Sequence, residues 1–139
     1  MKHIAATALL VVFMAGCTPL IDQHRDVAIV GDYRQFAENV LLNGEKKILF
    51  FFASSCSVCE DTDADLRDWY ATEHIPLPTY RIDTDTQPEL MQRYHISVPH
   101  AFVLVDGSGE EVVTVSHPST AQLKRLLYGN MEDATNAGE

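Results

Sequence analysis

Apolar residues recur along the chain in two rhythms, and the switching between them lays out the elements. Residues 27–30 form a short apolar run that reads as a strand ending at Gly31. Asp32 suits a helix N-cap, and Phe36, Val40 and Leu41 fit one face of a helix over 32–42, which Asn43-Gly44 would stop. Residues 48–53 are apolar without alternation, which predicts a strand buried on both faces near the centre of a sheet. A helix over 56–72 should follow, with Cys59, Thr62, Leu66 and Trp69 inward and Glu60, Asp61, Asp63, Asp65 and Asp68 outward, before Pro76 and Pro78 break it. Next come a strand over 79–83, a helix opened by Pro88 and running to Tyr94, and a strand over 101–105. Asp106-Gly107-Ser108-Gly109 reads as a hairpin turn into a strand over 111–115, and a last helix spans 119–128 with Leu123, Leu126 and Leu127 inward. The order β-α-β-α-β-α-β-β-α predicts an α/β fold with a mixed central sheet and helices on both faces.

Both ends depart from these rhythms. Met1-Lys2-His3 is a short basic start, and residues 4–15 are almost wholly apolar but too few to cross a bilayer, so 1–16 read as an export signal. Ala15-Gly16-Cys17 resembles the lipobox of bacterial lipoprotein precursors, with Met14 where leucine is usual. That resemblance implies a lipid on Cys17 and a membrane anchor facing the periplasm or the outer surface. Thr18 after the cysteine, not being Asp, would allow outer-membrane delivery. Residues 17–26 then read as a tether, 27–128 as one domain, and 129–139 as a flexible tail.

The 139 residues suffice for one core, and the net charge of −10 argues against a nucleic-acid partner, because phosphate backbones need Lys and Arg. Chemistry concentrates at Cys56-Ser57-Val58-Cys59, at the junction between the buried strand and the long helix. A helix start offers unpaired N–H groups and partial positive charge, which favour a thiolate, the species that attacks disulfides. Two cysteines so spaced also serve as half a zinc site or a haem attachment point. Zinc would need further close-spaced ligands, and haem a His where Glu60 stands.

Three segments, in order, resemble the thioredoxin superfamily over 27–128. They are the aromatic strand entering the CxxC, then Ile96-Ser97-Val98-Pro99, and then 102–113 with its Asp106-Gly107 turn. The resemblance implies a thioredoxin-like fold, catalytic Cys56 and Cys59, and a cis Val98–Pro99 bond whose backbone contacts substrate. It further implies a thiol–disulfide oxidoreductase without cofactor, monomeric, acting on protein thiols or disulfides with a membrane redox partner. A lone tethered domain resembles reductive or maturation-type relatives more than oxidases. Ser57-Val58 replaces the family's Gly-Pro, and the buried acid that assists the second thiol is replaced by Phe50. Glu60 and His100 are then candidate modulators of the thiols. The alternatives are a copper or zinc carrier using Cys56, Cys59 and His100, and an interaction protein whose cysteines have lost their role.

Overall fold

The computed structural model describes residues 28–131. The leader at 1–16, the Cys17 anchor with Thr18, the tether and residues 132–139 of the tail lie outside them. The described chain forms a six-stranded mixed sheet in the order β1-β2-β4-β3-β5-β6, with helices on both faces. The strands are β1 (Ala28–Val30), β2 (Tyr33–Gln35), β3 (Lys47–Phe52), β4 (Thr79–Asp83), β5 (Ala101–Val105) and β6 (Glu111–Ser116). The helices are α1 (Ser57–Thr72), α2 (Pro88–Arg93) and α3 (Thr120–Leu127). No helix among these residues is long and apolar enough to cross a membrane.

The helix expected over 32–42 does not form. Gly31, with φ +56°, turns the chain so that β2 pairs antiparallel with β1 and parallel with β4. An Asp32 cap contributes about 1 kcal/mol. Against it stands the full burial of Tyr33, whose ring stacks on Tyr70 at 5.9 Å and whose hydroxyl donates to Asp63. Fully burying a large side chain outweighs a cap, and the extended chain is what lets Tyr33 reach α1. Only Glu38–Leu42 coil, as a 3-10 helix that buries Val40 and Leu41. Buried Lys47 serves the end of this helix, its Nζ donating to the Val40 carbonyl and the Asn43 amide oxygen, both at 2.6 Å.

β3 is the central strand, parallel to β4 and antiparallel to β5. Its alternate residues fill two cores. Leu49 and Phe51 pack with Tyr80, Ile82 and Leu90 beneath the 3-10 helix and α2. Ile48 and Phe50 pack with Leu66, Phe102 and Leu126 beneath α1 and α3. Phe50 stacks on its cross-strand neighbour Phe102 at 4.5 Å, and truncating either ring to Ala removes about 3–5 kcal/mol. Ser119 begins α3 with a capping box to Gln122, as the polar-to-apolar step there predicts.

Candidate functional site

β3 ends at Phe52, and three short residues carry the chain to Cys56, which is the N-cap of α1. The turn is closed by the Cys56 N–H donating to the Ala53 carbonyl at 3.1 Å. Cys56 Sγ accepts the Cys59 N–H at 3.3 Å, so the sulfur itself caps the helix. The two cysteines form a disulfide with Cα atoms 5.2 Å apart. Cys59 is wholly buried among Phe50, Leu66 and Phe102, whereas Cys56 stays partly open to solvent. Ser54, Ser55, Ser57 and Glu60 are exposed around it, and Val58 between the cysteines is an exposed apolar side chain.

Glu60 thus sits on the solvent side of the first helical turn. The buried acid lies one turn further on. Asp63, expected on the outer face, packs inward in line with Cys59, Leu66 and Tyr70. Tyr33 donates to it, Arg67 Nε lies 2.7 Å from Oδ2, and Arg81 Nη1 lies 3.1 Å from Oδ1. Burial alone would raise its pKa, but the Tyr33 and Arg67 hydrogen bonds and the charges of Arg81 and Arg67 together hold it below the ordinary value. Arg81 also stands over the Phe52 ring at 5.0 Å, tying this network to the last residue of β3.

The register of β3 against β5 pairs Phe51 with Ala101 and so brings the Val98-Pro99 segment to the sheet end where β3 runs into the CxxC. The expected cis bond is absent: no cis peptide occurs among the described residues, and Val98–Pro99 is trans. The chain is redirected instead by His100, which has φ +63° and donates its N–H to the Phe51 carbonyl at 2.8 Å. Pro99 therefore stands just outside the ladder, where its missing N–H costs no pairing. Val98 is 47% exposed.

His100 is buried and does not point along the strand into solvent. Its Nε2 lies 3.0 Å from Thr62 Oγ1 and its Nδ1 lies 3.3 Å from His117 Nδ1. Burial first, and then the neighbouring His117, lower its pKa. With the cysteines bonded to each other and the two His100 nitrogens directed at Thr62 and His117, Cys56, Cys59 and His100 are not gathered into one metal centre in this arrangement. Asp63, Thr62 and His117 were not singled out from the sequence as site residues. The signal for His117 was its placement across the hairpin from His100.

No protein-family model and no curated protein matches the sequence. Solved structures do match in fold. The protein Trxlp of Edwardsiella tarda is 20% identical with a TM-score of 0.56, over 67% of this chain and 95% of that one. A mutant thioredoxin from Halobacterium salinarum is 22% identical with a TM-score of 0.57, over 74% and 95%. The oxidised thioredoxin of Plasmodium falciparum is 21% identical with a TM-score of 0.57, over 66% and 86%. The fold is thioredoxin-like, and the chain carries a disulfide-bonded CxxC at the N-terminus of α1.

Proposed function

We propose that the protein is a thiol–disulfide oxidoreductase, anchored through a lipid on Cys17 outside the cytoplasm and acting mainly in the reductive or maturation direction. The observation that carries this reading is the unequal pair, an accessible Cys56 whose sulfur caps α1 and a buried Cys59 bonded to it. A thiolate at Cys56 would accept the same N–H that the disulfide sulfur accepts, now as a charge-assisted bond at the positive end of the helix. Reaction with a substrate disulfide then runs in two steps. Cys56 thiolate attacks one substrate sulfur and forms a mixed disulfide, and the other substrate sulfur leaves as thiolate. Cys59, deprotonated, attacks Cys56 Sγ, re-forms the internal disulfide and releases the second substrate thiol, so two electrons pass to the substrate. A membrane dithiol partner must restore the reduced pair.

Substrate contact is assigned to the rim around Cys56, with Val98 and Pro99 as its far side. A cis bond no longer supports that assignment. Its support is the exposure of Val98 and Val58 and the shared sheet end. The reading is tested with Cys59→Ser in the native envelope. A stalled mixed disulfide on Cys56, released by reductant and absent from the Cys56→Ser protein, is the expected result. Absence of any Cys56 adduct, together with failure of the reduced protein to reduce a model protein disulfide, would overturn it.

A further inference from the structure

Apart from the cysteines, two histidine rings meet at the end of the β5–β6 ladder. His100 stands just before β5 and His117 just after β6, and the His117 N–H donates to the His100 carbonyl at 2.9 Å. Both have left-handed backbone, φ +63° and +50°. That conformation is uncommon for residues with a side chain and persists where the surroundings impose it. Here it brings the rings to 5.4 Å between centroids and the two Nδ1 atoms to 3.3 Å.

Two neutral imidazoles cannot present Nδ1 lone pairs to each other at that separation. Something positive must lie between, either a proton on one ring or a metal ion. A hydrogen bond of 3.3 Å is at the long end of the normal range. Two nitrogens bound to one tetrahedral zinc at about 2.0–2.1 Å are about 3.3–3.4 Å apart. The far side of His100 points the same way. Where Thr62 Oγ1, 3.0 Å from Nε2, accepts the Nε2–H, the proton stays on Nε2 and Nδ1 faces His117 as a lone pair. Histidines that bind metals commonly hold their second nitrogen in this way. His117 is exposed, which leaves the outer coordination positions open.

We propose that His100 and His117 bind a zinc-type divalent ion through their Nδ1 atoms, with Thr62 orienting His100 and water or a partner's side chain completing the shell. Among the described residues no group of three or more His, Cys, Asp or Glu could hold a metal, so these residues supply two ligands to an open site. Neither sulfur takes part. The site is therefore distinct from a cysteine-based carrier and independent of the proposed redox activity.

The test is zinc titration of the purified protein with its disulfide closed, followed by calorimetry and by the ring-nitrogen NMR signals of histidine. One equivalent should bind and shift the His100 and His117 signals, leaving those of His74 and His95 in place. His117→Asn accepts the left-handed backbone and should weaken binding at least about tenfold, and Thr62→Val about 10–100-fold. Both variants must keep the wild-type circular dichroism and the closed disulfide. Zinc affinity unchanged in His117→Asn, no binding at all, or binding only after the cysteines are reduced would each overturn the proposal. An unchanged Thr62→Val affinity would remove Thr62 from the site.

Discussion

Cys56 and Cys59 differ in their surroundings more than in their chemistry. After reduction, brief iodoacetamide treatment should modify Cys56 well before Cys59, read by mass mapping. The reverse order would exchange their roles. Both were legible in the sequence because the pair and the strand before it are contiguous. Asp63 was not legible, because its partners Tyr33 and Arg81 arrive from β2 and β4, and helical periodicity alone assigns a carboxylate to solvent. Its depressed pKa makes a testable claim on stability. A carboxyl whose native pKa lies below its unfolded value stabilises the fold above the unfolded value, near 3.8, and that contribution disappears as pH falls through the native one. Asp63→Asn should lower stability at neutral pH by about 1.5–3 kcal/mol and flatten the loss of stability below about pH 4. Urea denaturation at several pH values measures both. A curve parallel to wild type would show that Asp63 does not carry this acid sensitivity.

Most elements could be read from their rhythm alone. Residues 79–83 and 101–105 form strands as expected, the non-alternating run 48–53 supplies the central strand, and Ser119 opens the last helix. The failure at 32–42 has a tertiary cause. A local cap was overridden by a tyrosine whose hydrogen-bond partner Asp63 and stacking partner Tyr70 both lie on α1, 30 or more residues along the chain. The Val98-Pro99 segment failed differently. Its place in the fold was foreseen, but a left-handed His100 makes the turn that a cis bond was expected to make. This changes what Pro99→Ala should do. With a trans bond no isomer constraint is broken, and the cost should be about 0.4–1 kcal/mol, through greater freedom of the unfolded chain. Equilibrium denaturation decides it, and a loss of several kcal/mol would mean that Pro99 has a further structural role.

At the scale of the whole molecule, the fold brings the redox pair, the Val98-Pro99 segment and the two facing histidines to one end of the sheet. An anchored molecule must present that end to its partners, and the lipid on Cys17 is proposed to provide the anchor. Cells fed a labelled fatty acid should incorporate it into the wild-type protein and not into Cys17→Ala, which should leave the membrane fraction. Equal labelling of both would remove the anchor. The overall architecture was readable because alternating apolar runs and helical stripes report burial directly. The convergence at the sheet end depends on strand register, and periodicity does not specify register.

The β5–β6 hairpin shows how narrowly that register is held. Leu104 pairs with Val113 and Val105 with Glu111, so Val112 is an extra residue with no partner across the ladder. A gene that lost codon 112 would encode a straighter hairpin in which every pair below the turn, His100 opposite His117 included, is kept. Loss of any one codon from 113 to 116 would be absorbed by the same bulge, whereas loss of a second codon between 111 and 117 would slide His117 by one position, and strand alternation would carry it to the other face of the sheet. Length variation in this hairpin is therefore not neutral drift in a loop. It separates descendants that keep the facing histidines from those that lose them, with the rest of the fold unchanged.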